Sequence, residues 1–315
     1  MATQYAPTAA DRPTPALELG FSRKPRTLWT DAWRQFRRHK LAMFGLVIFT
    51  FFVVASAIGP FVWTKPINDI NFRERNQGPS LSHPLGTNDR GEDMLARILY
   101  GGRVSLAVGV VAMAIAIGLG TLVGAIAGFF GGLADTILMR ITELLLSLPQ
   151  LPLLLMVIYL FRDKLRATIG TEAGTFLLMV AVIGGLRWMA VARLVRAAFL
   201  SIKEKEYMEA ARCVGVPTHR QILTHMLPNA ISQVIVAASL AIGAAILAES
   251  TLSFLGLGFP PDRPTWGRLL FDAKDLLSLA PHVVLIPGIM IFLTVLSINF
   301  IGDGLRDALD PRRGR

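Results

Sequence analysis

The chain has 315 residues, of which 53% are hydrophobic and 17% charged, and it carries a net charge of +10. Soluble domains are about 25% charged, so this composition excludes an ordinary water-soluble enzyme and a disordered chain alike, and the apolar surplus calls for a bilayer. The single cysteine, Cys213, excludes an internal disulfide framework and a multi-thiolate metal site, and the five scattered histidines offer little metal geometry.

In chain order, residues 1 to about 28 read as a tail and not as a signal peptide. No apolar core follows the start, and Pro7, Pro13, Pro15 and Pro25 interrupt it. Leu28 to Lys40 reads as an amphipathic helix on the membrane surface. Trp29 and Trp33 stand four apart, with Arg34, Arg37, Arg38 and Lys40 clustered behind them. Charge-free runs follow at Leu41–Thr64 (24 residues), Val104–Ala134 (31), Leu144–Phe161 (18), Gln221–Ala248 (28) and Leu276–Gly302 (27). A spanning helix needs about 20 residues for a ~30 Å hydrocarbon core. A sixth run, Ala173–Leu186, has 14 residues. It reaches spanning length if Arg187 snorkels to the membrane edge beside an interfacial Trp188.

The expected fold is therefore all-α and polytopic, with six transmembrane helices. The first helix covers 41–63 and an external segment 64–103. A five-helix core covers 104–302 and includes a cytoplasmic loop over 201–228. The tails are 1–40 and 303–315. With both termini inside, the inner segments hold 20 Lys and Arg residues against 12 outside. That bias favours cytoplasmic termini and explains the basic charge by topology, leaving no nucleic-acid module to invoke.

Inside the membrane, Gly120, Gly124, Gly128 and Gly132 form a ladder that permits close helix approach. Pro149 and Pro152 flank Gln150 in the third helix, and Pro287 interrupts the sixth. Each proline frees backbone carbonyls, either beside a translocation path or in a passive kink. Gln150 and Asn299 are candidate lining residues.

The long inner segment reads SIKEKEYMEAARCVGVPTHRQILTHMLPN from Ser201 to Asn229. Ser201 with Glu204, and Thr218 with Gln221, have capping-box spacing, and Gly215 fits a helix stop between them. The expected element is helix, glycine turn, helix. Tyr207, Ala210 and Ala211 share a face of the first helix. By spacing alone this is either a connector or a docking element.

At this point the residues resemble a known family. Glu209-Ala210-Ala211, then Gly215, then Leu227-Pro228, resemble the EAA loop of bacterial ABC-importer permeases, and His225 to Asn229 fits the peptide-importer branch. His83–Leu106, Ala248–Gly267 and the basic preface to Leu41 resemble the same dipeptide, oligopeptide and nickel branch; Asn88 and Glu92 depart from its usual Asp and Arg. The resemblance implies a type I importer fold with an extra N-terminal helix and an EAA loop seated on a separate ATPase. It also implies a homologous second permease, two ATP-binding subunits and an external solute-binding protein. The solute would be a di- or oligopeptide, or alternatively nickel or glutathione.

The chain has no P-loop pattern and no Gly-Lys pair, so nucleotide is expected on partners and no cofactor here. It also lacks the G-x-S-x-G and H-E-x-x-H patterns, which argues against an enzyme. An ion-driven carrier would place ionisable groups at mid-membrane, whereas Glu143 and Glu249 sit at helix ends by sequence. Phe259–Trp266 is too polar and proline-rich to span and is expected on the outer face, meeting the binding protein.

Overall fold

The protein's computed structural model describes residues 28–309, without the side chains of Leu28 and Trp29. Most of the expected N-terminal tail, and residues 310–315, lie outside the described residues. The first helix, α1 (Leu28–Arg38), ends at His39, whose Nδ1 accepts from the Ala42 N–H at 3.1 Å and caps α2 (Lys40–Val62). An amphipathic helix was expected here. Its apolar face is not left to lipid alone: Phe36 is buried against Gly304, and Gln35 Nε2 donates to the Asp307 carbonyl at 2.9 Å.

The membrane helices follow as α3 (Met94–Phe130), α4 (Gly132–Ser147), α5 (Gln150–Ile169), α6 (Thr171–Gly185) and α7 (Trp188–Lys203). The short α8 (Glu206–Cys213) and α9 (Thr218–Arg220) lead through a π turn at Gln221–Met226 into α10 (Leu227–Phe254). The described residues end in α11 (Trp266–Ala273) and α12 (Pro281–Leu309). Among the described residues, five continuous helical stretches are long and apolar enough to cross a membrane, and α4 with α5 make a sixth only as a pair bent by 89°.

The break falls at Pro149, within the Leu144–Phe161 run where Pro149 and Pro152 were expected to break or kink the third helix. Leu148 and Pro149 hold extended backbone, at ψ 139° and 109°, so the apolar run is divided near its start. The pair nevertheless crosses once. The α3 and α7 axes run parallel: Gly120 faces Val191, Gly124 faces Ala192 and Gly128 faces Phe199. Parallel helices need an intervening return across the bundle, and only α4 and α5 supply it. The start of α6 accordingly lies beside the start of α3, where the Tyr100 hydroxyl donates to Glu172 Oε1 at 3.5 Å.

The glycine ladder is thus an internal seam. A Cβ on Gly120 would lie 2.5 Å from Val191 Cβ, and one on Gly128 2.6 Å from Phe199 Cβ. Gly132 does not belong to it; at φ 53° it turns the chain from α3 into α4 and faces open space. The described ends of the chain lie together: α1 rests on the last turns of α12, and the α8–α9 segment sits at the same end of the bundle, beyond Phe129 of α3.

The opposite end is closed by a cap of turns over 63–93. Arg97 is buried and bonds Glu92 at 2.7 Å, the Ile67 carbonyl at 3.0 Å and the Pro261 carbonyl at 2.9 Å. Glu92 also accepts from Asn88 Nδ2 at 2.6 Å, so Asn88 and Glu92 form one buried network. Phe259–Trp266, expected as an outward surface, is mostly an internal wedge. Phe259 and Trp266 are each 1% exposed. The Trp266 indole N–H donates to the Ile98 carbonyl at 3.1 Å, and its ring meets Phe52 edge-on at 6.2 Å. An indole buried with its N–H satisfied is a strong internal anchor, which is why this polar-looking stretch turns inward.

Candidate functional site

Two features stand out: an exposed bracket between α7 and α10, and a cavity between helix breaks above it. The bracket starts where α7 stops. Ser201 and Glu204 do not cap it; Ser201 lies inside α7, and α8 begins after Lys205 with no side-chain cap. The stop after α8 is the expected glycine. Gly215 has φ 76°, the Val216 N–H reaches back to the Ala211 carbonyl at 3.0 Å, and the Gly215 N–H reaches Arg212 at 3.0 Å. This is the paired closure of a Schellman motif, which requires the left-handed conformation that glycine adopts without a Cβ clash.

The second expected capping box is also absent. Pro217 occupies the cap, and Gln221 turns back to donate from Nε2 to the Val216 carbonyl at 2.6 Å, bracing the turn. Nor does a separate second helix end before the next crossing. Pro228 has no N–H to offer the carbonyl four residues back, and its ring would crowd that group. The helix widens into the π turn instead, with the Leu227 N–H bonded five residues back to Ile222 and the Asn229 side chain donating to the His225 carbonyl at 2.6 Å. Thr218–Phe254 is therefore one continuous 37-residue helical stretch.

Two methionines hold the bracket to the bundle. Met208 and Met226, both fully buried, join Phe199, Val195 and Ala230 in one apolar cluster. Lys203 Nζ donates to the Phe129 carbonyl at 2.8 Å, tying its base to α3. The remaining surface is open. Tyr207, Glu209, Ala210, Gly215 and Pro228 are exposed, while Ala211 and Leu227 are half-buried. Val214 is 83% and Leu223 61% exposed. Met208 and Met226 were not among the residues expected to matter, although two buried-type residues within a polar stretch were the available signal.

The cavity, of about 430 Å³, lies between the α4–α5 junction, the α6–α7 junction and α10. Its walls are leucine, alanine, valine and methionine, apart from Gln150 and Arg187. Gln150 Nε2 donates to the Leu186 carbonyl at 3.3 Å, so one helix break is bonded to the other. Pro149 caps α5 and Pro152 lies in its first turn, where a missing N–H costs nothing; both flank the cavity. Pro287 is buried within an unbroken α12, and Asn299 is exposed; neither lines the cavity.

Arg187 departs most from expectation. Snorkelling to the membrane edge was anticipated, and a mid-membrane charge was not. Gly184 abuts Ala112 and Ile115, and Trp188 abuts Gly120, which puts Arg187 near the middle of the charge-free run of α3. The break at Leu186 and Arg187, at φ −113° and −118°, lets α6 and α7 act as one 33-residue crossing. Glu249 is also fully buried, accepting from Ser105 Oγ at 3.2 Å and Ser253 Oγ at 2.7 Å.

Comparison with known proteins bears on both features. Residues 120–315 match the family model described as binding-protein-dependent transport system inner membrane component, and residues 27–79 match the N-terminal TM domain of oligopeptide transport permease C. The oligopeptide transport system permease protein OppC of Haemophilus influenzae is 39% identical over 91% of this chain and 89% of its own length. The dipeptide permease DppC of Alkalihalophilus pseudofirmus is 38% identical, over 90% of each chain. The glutathione transport system permease protein GsiD of Pectobacterium atrosepticum is 37% identical, over 91% and 92%. Among solved structures, a chain of the MetNI methionine ABC transporter in an inward-facing conformation superposes with a TM-score of 0.52 at 18% identity, over 69% of this chain and 98% of that one, which establishes a shared fold. With its helical bundle, its bracket and these matches together, the chain belongs to the binding-protein-dependent transport system inner membrane component family, as a multi-pass protein of the inner membrane.

Proposed function

We propose that the chain is a permease subunit of an ATP-driven ABC importer that carries di- or oligopeptides into the cytoplasm. The observation that carries this reading is the bracket. It is exposed on one side, anchored on the other by Met208 and Met226, and continuous with the two helices that wall the cavity, α7 and α10. A force on the bracket moves both helices together, because the Schellman turn at Gly215 and the Gln221 brace fix its angle. An ATPase gripping Tyr207, Glu209 and the Val214 apex would thereby open or close the cavity. Glu209 supplies a polar contact on that surface.

The end bearing the bracket is the cytoplasmic one in this reading, since the Lys and Arg excess falls there. Both termini lie inside with it. ATP is bound by two partner subunits and no cofactor by this chain, which does no chemistry itself. A homologous second permease completes the path, and an external binding protein delivers solute. The names of the relatives, oligopeptide, dipeptide and glutathione permeases, support a peptide-like solute.

The test is the double substitution Glu209→Lys with Gly215→Asp in the assembled importer. ATP hydrolysis should persist while peptide uptake is lost, with membrane insertion unchanged. Normal uptake by that variant would refute the assignment of the bracket. Uptake that survives ATP depletion but collapses with the proton or sodium gradient would instead establish an ion-driven carrier.

A further inference from the structure

We propose that Arg187 is the contact through which the permease recognises a carboxylate on its solute, the free C-terminal carboxylate in the case of a peptide. The inference rests on reading the cavity between the helix breaks as part of the transport path. It adds a specificity-determining residue to that path.

The first argument is the missing partner. Arg187 is half-buried, its Nε–H is shielded from solvent and donates to no partner, and no acidic side chain among the described residues neutralises it. Arginines buried or half-buried elsewhere in the membrane helices are engaged, whereas Arg193 of α7 is exposed. Arg97 bonds Glu92, Arg196 pairs with Asp135, and Arg103 donates to the carbonyls of Ser56 and Ala57. The Leu186 carbonyl, adjacent to Arg187 in sequence, accepts from Gln150 and not from the guanidinium.

The second argument is depth. An arginine at mid-membrane costs about 2.5–3.5 kcal/mol on insertion scales, and such residues characteristically face a path or a counter-charge. Here the residue stands level with the α3 segment from Ala112 to Gly120 and lines a cavity. The third is the chemistry of the walls. Apart from Gln150, the lining is leucine, alanine, valine and methionine, which accepts solute side chains of many shapes without demanding a particular one. A solute family that varies in its side chains but keeps its terminal carboxylate matches one fixed guanidinium in such a chamber. The planar fork of arginine suits a carboxylate better than a point charge does.

The experiment uses the complete importer in proteoliposomes, with its binding protein saturated, and two probes: tri-alanine and the same peptide ending in a carboxamide. The uptake ratio of acid to amide is compared between wild type, R187Q and R187K. Because the binding protein is common to all three, a change in the ratio reports the permease. We expect the ratio to fall at least about tenfold in R187Q, the effect of losing one charge-assisted hydrogen bond, and about threefold in R187K, which keeps the charge but loses the planar fork. An unchanged ratio in R187Q overturns the proposal even if total uptake drops, since a merely structural role would slow both probes alike. Should R187Q fail to assemble, R187K decides: a shift of about threefold or more supports recognition by the fork, and no shift overturns it. Wild-type liposomes that take up neither probe would refute the peptide reading and this proposal with it, whereas normal wild-type uptake with an unmoved ratio removes only the role of Arg187.

Discussion

At the capped end of the bundle, Arg97 and Glu92 meet at 2.7 Å with both side chains buried, and the Trp266 indole is locked to Ile98. At the bracket end, two methionines and one lysine hold a segment whose outer face is exposed over Tyr207, Glu209 and Val214. The cap commits Arg97, Glu92 and Trp266 to internal bonds, while Phe72 and Arg73 on its outer side stay exposed. The bracket leaves Tyr207 and Glu209 at its surface. A buried network fixes one arrangement, because each unpaired group carries a full desolvation penalty. An apolar plug with an open outer face fixes only the attachment and leaves the surface for another chain. The bundle is thus held rigid at one end and offered for gripping at the other.

The contrast can be broken most sharply at Arg97. Arg97→Ala leaves Glu92 buried without its cation, and the loss should reach about 3–5 kcal/mol, read as a lowered melting temperature of the solubilised permease. At the bracket end, Met208→Ala should cost about 2 kcal/mol, the low end for a buried methionine, because a surface segment can settle into the space. Its uptake should fall by more than that stability loss implies, since a loosened plug transmits less motion; uptake that tracks stability alone would mean the plug only holds the fold. The smallest stability effect belongs to Tyr207→Ala, within about 0.5 kcal/mol for an exposed side chain. Thermal melting should not move while ATP-dependent uptake drops. If uptake stayed intact as well, the exposed face would be idle surface, and the contrast between the two ends would lose its functional meaning.

Much of this molecule was legible in advance where a one-dimensional signal suffices. The charge-free runs located α2, α3, α10 and α12, because only a long apolar stretch satisfies a hydrocarbon core. Gly215 announced its turn, since a left-handed closure after a helix selects glycine. The capping boxes misled for a physical reason. Ser201 and Thr218 have the right spacing, but α7 continues past the first and Pro217 takes the cap from the second. Pro149 and Pro152 signalled the break between α4 and α5, but not its 89° angle, because hydropathy and proline position say nothing of backbone direction beyond the break.

Hydrophobic periodicity, turn chemistry and the EAA-type pattern are local properties, and from them the chain by itself determined a polytopic helical permease with a bracket between two crossings. Which residues meet across the bundle depends on helix contacts far apart in sequence. Only the tertiary structure therefore decided that Phe259 and Trp266 turn inward, that the glycine ladder closes α3 onto α7, and that Arg187 faces a cavity at mid-membrane. A charge near the end of an apolar run reads as an edge until the neighbouring helix shows its depth.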